Sequence, residues 1–199
     1  MTTIVECARR GEALALLEKS QALLHGHFLL SSGLHSPEYF QCARVLEWPA
    51  AAEQIARALA EVVRQWQPQV VLTPAVGGIL IGYELARQLG VRNIFAERPS
   101  GAFELRRGFE LAPGERVVLA ENVITTGASV LEVADVARQH GAQVIGFATI
   151  VDRSGGAFAP DLPVATYLRT TAVTYSPEEC PLCRQGLPLV KPGSRKITG

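Results

Sequence analysis

Residues 117–129 read Val-Val-Leu-Ala-Glu-Asn-Val-Ile-Thr-Thr-Gly-Ala-Ser, an apolar run that breaks into a small, hydroxyl-rich segment. Val117, Val118 and Leu119 form the unbroken apolar pattern of a strand buried on both faces, and a helix-forming segment begins at Ala128. At the break, Thr125 to Ser129 place compact hydroxyl donors and a glycine just before a helix start, whose unpaired N–H groups favour an anion. Glu121 stands at the strand's C-terminal end, where open α/β sheets place their ligand crevice. A carboxylate there can hold sugar hydroxyls or a cation beside the phosphate, so the combination points to a ribose phosphate. Capping Thr and Ser at an ordinary strand-to-helix turn would account for any four of these residues. They do not account for the whole run.

The segments around this run alternate between two periodicities. From Pro49 to about Trp66, Ile55, Leu59, Val62, Val63 and Trp66 recur at helical spacing, and Pro49 suits a first helical turn. A strand over Val70 to Leu72 leads into Thr73-Pro74-Ala75-Val76-Gly77-Gly78, and a helix over Ile79 to Leu89 stops at Gly90. Strands at Ile94 to Ala96, 117–120 and Val144 to Val151, with a helix over 128–140 stopped by Gly141, continue the pattern. Such alternation implies an α/β fold with a mostly parallel, doubly wound sheet. Residues 1–24 look helical, 26–48 mix aromatic, His and turn residues, and 160–199 are rich in Pro and Gly. The expected organisation is a single domain over 1–199, with a core over about 49–158 and a small hood from about 1–48 and 159–199.

A chain of 199 residues suits one good-sized core, since domains run to about 100–200 residues. No apolar stretch approaches the roughly 20 residues needed to span a membrane, and no secretory signal pattern opens the chain, so a cytoplasmic location is expected. Nineteen basic against nineteen acidic residues argue against bulk nucleic-acid binding; a charged ligand must be met locally. Arginine dominates the basic residues, with lysine only at Lys19, Lys191 and Lys196, which fits a thermophilic source or a bias in base composition. No internal repeat, low-complexity tract or serine-nucleophile elbow is present.

As it stands, Glu121-Asn122-Val123-Ile124-Thr125-Thr126-Gly127-Ala128-Ser129 resembles the phosphoribosyl-pyrophosphate (PRPP) signature of type I phosphoribosyltransferases. Within that family, Ser31-Ser32-Gly33-Leu34-His35-Ser36-Pro37-Glu38-Tyr39-Phe40 and Val151-Asp152-Arg153 are similar to segments of the orotate group, so the likeness covers nearly the whole chain. The resemblance implies Mg²⁺-dependent transfer of phosphoribose from PRPP to N1 of orotate, giving orotidine 5'-phosphate and pyrophosphate in pyrimidine synthesis. It implies that Thr125 to Ser129 grip the 5-phosphate, that Glu121 and Asn122 hold the ribose, and that Ala75-Val76-Gly77-Gly78 admits the pyrophosphate. It implies too that Arg153, with Thr125, Tyr39 and Phe40, receives the orotate, and that Mg²⁺ comes with the substrate, Glu121 being a candidate ligand. A homodimer with a shared catalytic loop is expected on the same ground.

Three departures from the family pattern stand out. The segment 97–110, where relatives carry the mobile loop, offers Arg98, Arg106 and Arg107 but no lysine; arginine replaces the charge, not the proton donor. Asn122 stands where the family has the second of two adjacent acids, and Ser31 stands where many relatives have lysine. An amide hydrogen-bonds a hydroxyl but lends no charge to a developing cation. These departures keep two other readings open: a phosphoribosyltransferase for another base, and a non-catalytic PRPP-binding regulator.

Cys180-Pro-Leu-Cys183 has metal-ligand spacing, yet a structural zinc needs four ligands and no second CxxC exists. Cys7 and Cys42 are distant, and His25, His27, His35 and His140 could join only by folding together or across a dimer. Inert packing is the expectation for the pair, with metal and a redox pair as alternatives. Read from the residues alone, an arginine placed like Arg153 more often pairs with an acid such as Asp152, Tyr39 and Phe40 more often serve a core, and the segment 97–110 can be a solvated hairpin.

Overall fold

The computed structural model describes residues 2–30 and 32–192; Met1, Ser31 and residues 193–199, and with them the first residue of the Ser31–Phe40 motif, lie outside the described residues. In chain order the elements are β1 (Ile4–Glu6), α1 (Arg10–Lys19), β2 (Leu23–Leu29), β3 (His35–Phe40), α2 (Ala43–Leu46), α3 (Pro49–Val63), β4 (Val70–Pro74), α4 (Ile79–Leu89) and β5 (Arg92–Glu97). They continue with β6 (Glu104–Leu105), β7 (Arg116–Ile124), α5 (Ala128–Gln139), β8 (Gln143–Asp152), β9 (Val164–Arg169) and α6 (Pro181–Arg184).

Seven strands form one sheet in the order β1-β9-β8-β7-β4-β5-β6, all neighbours parallel except β6 against β5. The apolar runs are buried on both faces. Val71 and Val118 pack in the cluster with Ile55, Leu59, Ile81 and Leu85 of α3 and α4, whereas Val70, Leu72, Val117 and Leu119 pack with Val130, Val133 and Ala137 of α5. Pro49 opens α3 as expected, and Gly90, at φ 73°, ends α4 in the left-handed conformation that glycine adopts freely.

The flanks depart from expectation. Residues 1–24 are not one helix: Ile4 to Glu6 form β1, pairing with Val164 to Thr166 of β9, and β2 has begun by Leu23. The core therefore extends beyond 49–158 to include β1 and β9. Val-Ala-Thr-Tyr-Leu-Arg of β9 is β-branched, aromatic and buried up to its last residue, a strand signal that the surrounding prolines and glycines obscure. What stands apart from the sheet is a hairpin of β2 and β3 joined by residues beyond Thr170. Val190 N–H donates to the His27 carbonyl at 2.9 Å, and Leu29 N–H donates to the Val190 carbonyl at 2.8 Å. This fold also brings Cys180 and Cys183 against His27 and His35, so within one chain the pair meets two of the histidines that could join it only by folding together, against the expectation of inert packing. No helix among the described residues is long and apolar enough to cross a membrane.

Candidate active site

From β4 the chain passes through α4 to β5 on one side, and from β7 through α5 to β8 on the other. The two helices lie on opposite faces, so the C-terminal ends of β4 and β7 diverge at the switch point where α/β sheets open their ligand crevice. The last β4–β7 pair is Leu72 with Leu119, while β7 stays paired to β8 as far as Ile124 with Asp152. Glu121 and Asn122 thus lie within a strand longer than the expected 117–120, on the stretch β4 has already left. The Ala75–Gly78 turn fills the place beside them: a Cβ on Gly77 would come within 3.0 Å of Asn122 Nδ2, and one on Gly78 within 3.0 Å of the Ala120 and Pro74 carbonyl oxygens. The Ala75–Val76 peptide is cis, and Val76 and Gly77 are exposed, leaving the turn's backbone open to solvent.

After Ile124 the chain turns through the exposed Thr125 and Thr126 into α5. Gly127 takes φ 78°, and a Cβ there would stand 2.2 Å from the Phe158 ring. Both constraints select glycine, and beyond it the first N–H groups of α5 have no partner within the helix itself. Ala128 N–H donates to Thr126 Oγ1 at 3.3 Å, while the Thr125 hydroxyl makes no hydrogen bond among the described residues. An exposed loop with free hydroxyls at the start of a twelve-residue helix is competent to hold a phosphate.

The Glu121 carboxylate is half-buried, and desolvation pushes its pKa up to about 7, partly offset by the Asn122 N–H that donates to Oε1 at 2.8 Å. The Asn122 side chain is turned back similarly, its Oδ1 accepting the Val123 N–H at 2.7 Å.

A cleft of about 770 Å³ opens beside this loop, lined by Val123, Thr125, Thr126, Arg153, Tyr39, Phe40, Leu29, Leu30 and Lys191 among others. Arg153 is only 7% exposed and its guanidinium lies 5.7 Å from the Phe40 ring centre. It does not pair with Asp152, which instead accepts the Ser154 N–H at 2.9 Å and faces Arg169 at 3.7 Å. Among the described residues Arg153 has no ion-pair partner and its Nε has no hydrogen bond; burial pushes its pKa down. A guanidinium in that state is suited to pair with an anion.

Arg98, Arg106 and Arg107 are not brought to the cleft. Arg98 pairs with Glu132 and stacks 4.1 Å from the Phe103 ring centre, Arg106 faces Glu104 at 3.6 Å, and Arg107 grips Glu97 through two contacts of 2.8 Å. The segment folds as a short hairpin on the β5 edge. Leu29, Leu30 and Lys191 as cleft walls are additions to the sequence reading. They depend on the pairing of β2 with Val190, which no local pattern announces.

Residues 41–179 match the family model described as phosphoribosyl transferase domain. The chain is 53% identical to an orotate phosphoribosyltransferase of Pelotomaculum thermopropionicum, covering 94% of this chain and 99% of that one. With its counterpart from Caldicellulosiruptor saccharolyticus the identity is 50%, over 92% and 95% of the two chains. Among solved structures, the orotate phosphoribosyltransferase of Mycobacterium tuberculosis in complex with inorganic phosphate superposes with a TM-score of 0.65 at 26% identity, covering 80% of this chain and 95% of that one. With the switch-point crevice, the glycine turn before α5 and the buried Arg153 of the cleft already in place, these matches settle the relationship: the chain belongs to the phosphoribosyltransferase family, among the orotate phosphoribosyltransferases.

Proposed function

We propose that the cleft binds PRPP and orotate with the 5-phosphate on Thr125 to Ser129, the ribose at Glu121 and Asn122, the pyrophosphate at the Ala75–Gly78 turn, and the orotate between Arg153, Thr125, Tyr39 and Phe40. The observation that carries this reading is Arg153: a buried guanidinium without an ion-pair partner among the described residues, opening into the same cleft as Thr125 and Thr126. Orotate supplies the planar carboxylate that such a group lacks. In the reaction orotate N1 forms a bond to ribose C1 as the bond from C1 to the pyrophosphate oxygen breaks, and C1 passes through an oxocarbenium-like state. The protein's task is to hold the two reactants in line and to favour the charges that develop. Glu121, once ionised, faces the ribose with the negative charge that state requires.

The donor set suits a Mg²⁺ ion carried in by the substrate. Glu121 is a single carboxylate with one oxygen already engaged, and no acidic cluster able to hold an ion by itself occurs among the described residues. Held in that way, Mg²⁺ would supply positive charge to the departing pyrophosphate. The arginines of 97–110 are the natural additional clamp, with their pairs to Glu132, Glu104 and Glu97 exchanged for pyrophosphate oxygens when the loop moves. A homodimer with that loop shared is supported by exposed Val76, Leu80 and Tyr83, an apolar stripe at the start of α4 that a second copy would cover. A cytoplasmic location follows from the same assignment to nucleotide synthesis.

The direct test is pyrophosphate release from PRPP and Mg²⁺ with orotate, uracil, adenine, hypoxanthine or no base. Turnover confined to orotate supports the assignment, and turnover with another base replaces it. Tight PRPP binding with no turnover would favour a sensor, a reading for which the acid-paired arginines of the loop are the structural argument.

A further inference from the structure

Four side chains outside the cleft converge on one point. His27 of β2, His35 at the start of β3, Cys180 just before α6 and Cys183 within it place one donor atom each within 4.8 Å of all the others. His27 Nε2 lies 2.9 Å from His35 Nδ1, 3.5 Å from Cys180 Sγ and 3.7 Å from Cys183 Sγ, and Cys183 Sγ lies 3.3 Å from His35 Nδ1. His27 Nδ1 is 2.8 Å from the Leu187 carbonyl oxygen. A carbonyl only accepts, so Nδ1 carries the proton and Nε2 presents a single lone pair to the cluster. One lone pair cannot serve three neighbours as hydrogen bonds. It can serve a common centre.

We propose that His27, His35, Cys180 and Cys183 form a structural zinc site. Two thiolate sulfurs and two imidazole nitrogens are the tetrahedral donor set that zinc prefers. Bonds of about 2.0–2.1 Å to nitrogen and 2.3 Å to sulfur give a tetrahedron with edges of about 3.3–3.8 Å; the four separations just given need at most about half an ångström of adjustment, and the widest pair, up to 4.8 Å apart, about 1 Å. The Leu187 carbonyl supplies the outer hydrogen bond that orients a ligating histidine. Zinc also balances the charge: two thiolates and one Zn²⁺ leave no net charge among His27, His35 and Cys180, which are all buried.

The need for such a site follows from the fold. The β2–β3 hairpin and the four-residue α6 lie off the main sheet, and a two-stranded hairpin is marginal alone. A metal joining His27 and His35 to Cys180 and Cys183 fastens the C-terminal segment beside β2. It thereby fixes Val190 on Leu29, and with them Leu30 and Lys191 at the cleft wall.

The full chain, purified under reducing conditions without chelator and supplemented with zinc, is expected to hold one zinc per chain by elemental mass spectrometry. Replacing the zinc by Co²⁺ should give the intense visible bands of tetrahedral cobalt together with thiolate-to-cobalt charge transfer. Cys183→Ser, at the exposed ligand, should fold, lose part of that charge-transfer intensity and bind zinc about 100-fold or more weakly. His25→Ala, at a residue outside the cluster, should change neither, and chelation should lower the melting temperature of the unmodified chain. Zinc well below one per chain after supplementation, a weak octahedral cobalt spectrum, or a Cys180–Cys183 disulfide in the freshly purified chain would each overturn the proposal.

Discussion

In the proposed binding mode the phosphate end takes its groups from one stretch, Glu121 to Ser129, with Gly77 and Gly78 packed alongside. The base end takes Arg153 from after β8, Tyr39 and Phe40 from β3, and Lys191 from the C-terminal segment. The phosphate end works through backbone: N–H groups, a left-handed glycine, a turn with room only for hydrogen at Cα. On the same reading the base end works through side chains, chiefly the buried Arg153 guanidinium beside Phe40. Backbone devices tolerate no substitution that changes φ, whereas a side-chain device should be separable from the fold.

Gly127→Ala tests the first half of this contrast and should have the largest effect. The methyl would meet Phe158 at 2.2 Å at a backbone angle costing an L-residue about 1–2 kcal/mol, so a total loss of about 2–4 kcal/mol of stability is expected. Displacing the first N–H groups of α5 should lower kcat/KM for PRPP about 10³-fold. Gly33→Ala in the hood, at φ 83° with nothing within 4 Å of the added carbon, should cost the angular strain alone, about 1–2 kcal/mol. Equal melting temperatures for the two variants would break the comparison.

Arg153→Met tests the second half. The apolar stem keeps its contact with Phe40, and removing a buried charge with no ion-pair partner should leave stability unchanged or slightly raised. KM for orotate should rise about 10²-fold while KM for PRPP stays within twofold. A fall in melting temperature with both KM values raised would make Arg153 a structural residue instead.

The same division explains what was legible in the sequence. Val117 to Ser129 carries its own strand pattern, glycine and hydroxyls, and Gly90 and Gly141 mark their helix ends, so the sheet and the phosphate loop could be read locally. The burial of Glu121 was not, because it depends on how far β7 outruns β4. β1 escaped because Ile4 to Glu6 is too short to signal a strand without its distant partner β9. The meeting of Cys180 and Cys183 with His27 and His35 is likewise tertiary: the cysteine spacing shows half a site, and only the hairpin supplies the rest.

Glu121→Gln probes the electrostatics between the two ends. Folding raises this pKa from 4.5 to about 7, so the folded state takes up a proton between those values and stability falls as pH rises through them. The amide removes that loss. Its melting temperature should match the parent near pH 4 and exceed it at pH 8, by up to about 3 kcal/mol in stability at about 1.4 kcal/mol per pKa unit. Turnover should drop about tenfold at pH 8 if ionised Glu121 favours the oxocarbenium-like state. Melting curves that shift equally at both pH values would show that the carboxyl is not desolvated.

Asn122→Asp should have the smallest effect, and its pH dependence carries the information. Aspartate keeps an acceptor for the Val123 N–H and its planar end fits the space beside Gly77, so the fold should be undisturbed. It adds a second carboxyl next to one that already titrates at about 7. Two adjacent acids cannot both ionise freely, and their titration splits into two coupled steps, the upper one above 7. Below that step the pair holds one negative charge, as Glu121 does alone above pH 7, and turnover at pH 6.5 should rise only about twofold. Above it the second charge faces the ribose, and kcat at pH 8.5 should rise about threefold to fivefold, a modest electrostatic gain for a group at the edge of the site. A kcat ratio between variant and parent that is flat from pH 6.5 to 8.5 would show that the charge at position 122 does not reach the ribose, and that Glu121 alone provides what this end of the cleft needs.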